Sequence, residues 1–163
     1  MKALILAVLL LYPSYYLERT TEQADARRAR LAELAEAIDQ VNATPGEIAA
    51  VMALAWLESR LARYVHVGDC AHPPKGAPSC DRGRARSPWQ LHRAGCPALW
   101  ELEQGSPEWL RAGAQCAANR WRYGLALCGS AAGAYAVYRG RACSWAGGPA
   151  GAEAVRDVQR RLR

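Results

Sequence analysis

At 163 residues the chain has the length of one domain and can bury about two thirds of the surface its unfolded form exposes. Just over half of the residues are apolar and 22% are charged, an ordinary globular composition without internal repeats or low-complexity tracts, which excludes disordered, fibrous and repeat-array classes. The net charge of +6 comes from arginine, with Lys2 and Lys75 the only lysines, and suits polyanions in general: nucleic acid, anionic lipid or anionic cell-wall polymer.

Lys2 followed by the apolar run 3–12 has the charged start and hydrophobic stretch of an export signal. Extended to Leu17, the run is still shorter than the ~20 residues a membrane-spanning helix needs. Ala24-Asp25-Ala26 has the small-residue pattern of a cleavage site but lies far beyond the run. Residues 1–19 are therefore expected to be an export segment, either removed or kept as a membrane anchor. The alternative is a buried N-terminal helix, disfavoured because no polar face interrupts the run.

Residues 20–43 follow with helical spacing of Leu31, Leu34, Ala35, Ile38 and Val41, and with Arg27, Arg28, Arg30, Glu33, Glu36 and Asp39 largely on other faces, an amphipathic helix. Thr44-Pro45-Gly46-Glu47 then has the capping-box pattern: N-cap threonine, proline at the first helical position and glutamate at the third. The helix it opens should run to about Tyr64 and, being apolar on nearly every side from Ile48 to Leu57, should be central and buried. Residues 65–87 change to Gly, Pro, Cys, Asp and Arg with little periodicity, a long loop that can hold a short hairpin. Helical signals return over 97–104, from Ser106-Pro107-Glu108 through Trp121, over 131–138 and over 152–162. The expected fold is mainly α, a single domain over 44–163 with little or no β.

Cysteines 70, 80, 96, 116, 128 and 143 form an even set, which in an exported chain reads as three disulfides. Several pairings are open; the economical one joins Cys70 with Cys80, Cys96 with Cys116 and Cys128 with Cys143. Close pairs of the C-x-x-C kind are absent, so neither a metal nor another cofactor is expected.

Within the central helix, "ALAWLESRL" carries one misfit. The helical neighbours of Glu58 on its own face are Leu54, Ala55, Leu61 and Ala62, with Val51 and Val65 one step further out. A carboxyl among hydrocarbon is costly to ionise and keeps its proton, which it can then donate to a leaving oxygen, the device of glycosidic bond cleavage. The plain alternative is a glutamate that reaches solvent or pairs with an arginine such as Arg63. The reading is of an apolar scaffold that holds a single acid out of water at the floor of a sugar cleft, and it fails as stated if Glu58 is exposed or bonded to an arginine. Trp89 and Gln90 sit where the long loop returns to helical sequence, a junction that commonly forms the lip of a cleft. Six tryptophans and seven tyrosines without phenylalanine supply rings that suit sugar faces, and Tyr135 and Tyr138 can face one cleft from a single short helix.

The order "ALAWLESRL", "CDRGRARSPWQL", "AGAYAVYRG" resembles the lytic transglycosylase and goose-type lysozyme superfamily over roughly residues 44–145. The resemblance implies a lysozyme-like domain in which Glu58 is the catalytic acid/base and Gln90 hydrogen-bonds in the sugar cleft. It makes Tyr138 the motif tyrosine, with Tyr135 as its substitute one register away, and gives Ser59 the support of the helix. The chain departs from the family pattern at Ser87-Pro88-Trp89, where Gly-Leu-Met is usual and where the Trp89 indole should reshape a subsite. It departs again at Arg139 in place of an asparagine, and at Asp81 in place of a serine. The implied substrate is the glycan of peptidoglycan, cut between N-acetylmuramic acid and N-acetylglucosamine. Glu58 would protonate the glycosidic oxygen and then, as a base, help the muramic acid 6-hydroxyl attack its own anomeric carbon, giving a 1,6-anhydro end. The alternative within the enzyme class is a muramidase that uses Asp69 or Asp81 as second carboxylate, ~5–5.5 Å away for retention or ~6.5–9.5 Å for inversion. Outside it stands an exported, disulfide-stapled wall-binding module in which Glu58 is merely buried and paired. Nucleic acid is not expected as a partner, because the arginines are scattered without a basic block.

Overall fold

The computed structural model describes residues 1–13, 22–70, 73, 75, 77 and 80–163. Its helices are α1 (Lys2–Leu11), α2 (Ala24–Asp39), α3 (Pro45–Ser59), the short α4 (Arg63–His66), α5 (Pro107–Cys128), α6 (Ala131–Tyr138) and α7 (Gly148–Arg161). A ribbon of β1 (Ala85–Arg86) and β2 (Leu91–His92), antiparallel with Ala85 opposite His92, is the only sheet among the described residues. The fold is mainly α with a disulfide-held loop, as its helical periodicity and turn-rich 65–87 segment require.

α3 is the axis of the core. Its start is fixed by a capping box: the Thr44 hydroxyl accepts from the Glu47 N–H, and the Glu47 carboxylate accepts from the Thr44 N–H at 2.7 Å. From Ile48 to Ala55 every residue is buried, and α2, α5 and α7 pack around it. The helix stops at Ser59, earlier than the expected Tyr64, because Arg60 and Leu61 both take left-handed backbone (φ 54°). Ser59 secures that end: its hydroxyl donates to the Ala55 carbonyl at 2.7 Å and accepts from the Leu61 N–H at 3.2 Å.

α5 runs on to Cys128, well past Trp121, and closes at Gly129 with a left-handed cap. Gly124 permits this: a Cβ there would meet the Ala134 backbone at 2.8 Å, so α5 and α6 lie in direct backbone contact. α7 begins at Gly148, with a proline in its first turn. Of the expected 97–104 helix only a 3-10 turn at Pro97–Trp100 forms.

The apolar N-terminal segment is packed as α1. Ile5, Val8 and Leu9 are buried against α2, Lys2 pairs with Glu36, and the Tyr12 ring lies 5.0 Å from that of Trp56. This is the buried N-terminal helix that the sequence reading disfavoured; the lack of a polar face is met by its shortness, with Leu4 and Leu11 left exposed. No helix among the described residues is long and apolar enough to cross a membrane. Residues 14–21, with the far end of the proposed export segment, lie outside the described residues.

The three disulfides are Cys70–Cys80, Cys96–Cys116 and Cys128–Cys143, with Cα separations of 5.5, 6.2 and 5.6 Å. They fit an oxidising compartment, and they staple the loop, the middle of α5 at Cys116 and its C-terminal end at Cys128.

Candidate active site

Glu58 stands on the last turn of α3, just before the left-handed residues that turn the chain away. Its side chain is 5% exposed and forms the floor of a groove of about 750 Å³. Gln90, Tyr138, Arg139 and Trp145 line the walls with it, and Asp81 and His92 form the rim.

Trp89 and Tyr138 build the wall behind the groove. Trp89 is fully buried, and its indole N–H donates to the Val51 carbonyl of α3 at 2.8 Å. Its own carbonyl accepts from the Tyr138 hydroxyl at 2.7 Å. One side chain thus ties the loop to α3 and α6. This corrects the expectation of an indole at the cleft lip: an apolar ring at the end of the loop gains more by burial than by exposure to a sugar. Tyr138 remains a phenol, since burial and then the nearby Glu58 push its pKa well above the ordinary value.

Gln90 lies between the strands with φ 49°, its amide donating to the Ser87 carbonyl at 3.2 Å. Ser87 is also left-handed. A further left-handed turn runs over Cys80, Asp81, Arg82 and Gly83, held by the Cys70–Cys80 disulfide and by the Ala85 N–H to the Cys80 carbonyl at 3.0 Å. Each non-glycine residue in that region costs roughly 1–2 kcal/mol, so the backbone around the groove is held against its own preference. Asp81 is carried to the rim in this way, 3.7 Å from the His92 Nε2. Asp69 is exposed after α4 and is not part of the groove lining.

Burial is the largest influence on Glu58 and raises its carboxyl pKa above the usual range. Arg139 opposes it most, followed by the approaching Tyr135 hydroxyl and Arg60. Arg139, at the end of α6, is hydrogen-bonded to Glu58 Oε2, while Oε1 is buried without a partner. The expectation of a Glu58 surrounded by hydrocarbon alone is therefore wrong. Val51, Leu54 and Ala55 are apolar helical neighbours as read, but Leu61, Ala62 and Val65 lie beyond the end of α3, and the groove is closed by α6, which sequence spacing along α3 does not reveal. The arginine is Arg139, where Arg63 was the candidate.

Tyr135 supplies the phenol nearest in effect to Glu58, and its own pKa is raised by burial first and then by Glu58. The ring is seated on α7 because Gly151 leaves room for it; a Cβ there would fall 2.0 Å from Tyr135 Cδ1. Ser59 is buried and its hydroxyl is used on the backbone of α3, a supporting position outside the groove.

The groove also holds residues that sequence reasoning missed: His92, Arg120, Arg141 and Trp145. The arginines gave no signal because they are isolated in sequence; only the fold converges them. A second cleft, of about 620 Å³, adjoins the groove through Arg120 and Tyr138. Its walls are mostly apolar, including Leu99, Ala112 and Val137, and it contains no carboxylate, which makes the groove of Glu58 the candidate site. No group of three or more potential metal ligands occurs among the described residues. No protein-family model matches the sequence, and no curated protein or solved structure matches this chain.

Proposed function

We propose that this protein is an exported peptidoglycan lytic transglycosylase with Glu58 as its single catalytic acid and base. The observation that carries the reading is a carboxyl 5% exposed, with a raised pKa, at the floor of a groove of about 750 Å³ flanked by Gln90. The resemblance of the three motifs to lytic transglycosylases and goose-type lysozymes supports the same assignment. Protonated Glu58 gives its proton to the glycosidic oxygen as that bond breaks. The resulting carboxylate takes the proton of the muramic acid 6-hydroxyl while its oxygen bonds to the anomeric carbon, so no water enters. Gln90 offers an amide to the sugar, and Trp145 offers a ring face.

Asp81 keeps a hydrolytic outcome in view, since it lies on the rim of the same groove; Asp69 does not. The ion pair with Arg139 favours a second reading, a disulfide-stapled module that binds the anionic wall and in which Glu58 is structural. The two readings separate on purified peptidoglycan, assayed with and without its stem peptides. The transglycosylase reading expects clearing by the native chain and a loss of about 10²-fold or more in Glu58→Gln. Equal clearing by both, or none by either, leaves the binding module.

A further inference from the structure

Arg139 is the group in the groove whose placement the proposed chemistry does not require. It bonds the one carboxylate that must be free to carry a proton, yet it is itself 44% exposed against 5% for Glu58. A molecule entering the groove therefore meets the guanidinium before it meets the acid. Arg120 and Arg141 line the same groove. Arg120 has its guanidinium on the Tyr138 carbonyl and over the Tyr138 ring, and Arg141 has no side-chain partner among the described residues. The three arginines outnumber Glu58 and Asp81, so the groove suits an anion.

We propose that Arg139 is a carboxylate-exchanging latch: an acidic saccharide, carrying its carboxylate on the sugar, takes the guanidinium from Glu58 and leaves the buried carboxyl free to take up a proton. The inference rests on the reading of Glu58 as the catalytic acid and narrows its substrate to glycan strands stripped of their stem peptides, because in intact peptidoglycan the muramic acid carboxyl is amide-bonded and carries no charge. Arginine binds carboxylates through a planar fork of donors, so it exchanges one carboxylate for another without losing hydrogen bonds. Glu58 has no such replacement. Its remaining neighbours are Tyr135 and Tyr138 from α6 and Arg60 from the end of α3, and Arg60 lies over the Trp56 ring at 4.4 Å. The position at the C-terminal end of α3 further disfavours a negative charge. One proton from solvent then bonds to the carboxylate, whose Oε1 has no partner now; no other bond changes. A neutral sugar leaves the ion pair closed, so Arg139 serves as a specificity-determining and positioning residue.

The test is calorimetric titration of the full chain with N-acetylmuramic acid and with N-acetylglucosamine, which lacks the carboxylate. It is run in two buffers of different protonation enthalpy, at a pH where Glu58 is charged in the free protein. The carbon-13 signal of the Glu58 carboxyl is followed in parallel. Expected are proton uptake approaching one per bound N-acetylmuramic acid, with the Glu58 signal moving to its protonated position, and neither effect with N-acetylglucosamine. Arg139→Gln should bind the acidic sugar about tenfold more weakly or worse and show a higher Glu58 titration midpoint without any ligand. No binding of N-acetylmuramic acid, equal proton uptake with both sugars, or an unchanged Glu58 midpoint in Arg139→Gln would each overturn the latch. The native-chain comparison needs no variant to fold. Proton-linked binding together with undiminished glycan cleavage by Glu58→Gln would instead remove the catalytic role and leave the exchange standing.

Discussion

Burial and Arg139 pull Glu58 in opposite directions, and burial prevails, so its carboxyl binds a proton more tightly in the folded chain than in the unfolded one. The stability that accompanies the protonated form is fully present below the ordinary carboxyl range and is lost as pH rises through the higher folded value. Glu58→Gln does not titrate, and the Arg139 it leaves is half open to solvent. The variant should therefore melt at a higher temperature than the native chain near neutral pH, with the difference closing as pH falls into the carboxyl range. A native chain more stable than the variant throughout would mean that the ion pair dominates. The acid itself was legible from "ALAWLESRL", because the helical spacing puts apolar Val51, Leu54 and Ala55 on its face, although the other three expected neighbours fall beyond the end of α3. Arg139 was visible only as a departure from a motif, since a contact across 81 residues leaves no mark in local spacing.

Among the elements, α3 and α6 were the most legible, each having capping residues and a consistent apolar pattern. α1 was less so: a short apolar run reads alike whether it enters a translocation channel or a protein core. α5 was underestimated because Gly124 and Gly129 lie close together, and only the second ends the helix. The first is an interhelical contact, a property of α6 as much as of α5. The left-handed turn over 80–83 has no periodic signature at all; Asp81 and Gly83 tolerate it, and a disulfide enforces it. The seating of Tyr135 on α7 gives the most specific element-level prediction. Gly151→Ala must displace the Tyr135 ring, at a cost of about 1–3 kcal/mol in chemical denaturation. Because Tyr135 also helps to stabilise the charged Glu58, the same variant should raise the Glu58 midpoint. Unchanged values for both would show that α6 and α7 shift to accommodate the methyl group.

At the scale of the molecule, the chain is one core centred on α3, a smaller apolar cluster under the loop, and three staples. Fold class and disulfide pairing followed from composition, periodicity and the nearest spacing of the cysteines. The groove did not, because it forms where α3, the β1–β2 loop and α6 meet. Another long-range cluster joins α2 to α4: His66 is buried beside Arg30 and bonded through Nε2 to Glu33 at 3.2 Å, with Nδ1 unpartnered. Burial, and then Arg30, depress its pKa from 6.5 to about 4. Its contribution to stability is thus present above the unfolded value and is lost as pH falls through about 4. His66→Gln should flatten the acid limb of a denaturation profile, and an unaltered limb would place acid sensitivity elsewhere, in Glu47, whose pairing with Arg122 holds its pKa at about 2. The central claim concerns Glu58, and mass spectrometry of peptidoglycan glycan strands, stripped of stem peptides and digested in water enriched in oxygen-18, tests it most directly. The account predicts 1,6-anhydromuramic ends free of the heavy isotope from the native chain and no new ends from Glu58→Gln. Reducing ends labelled with oxygen-18, or the same anhydro products from the variant, would contradict it.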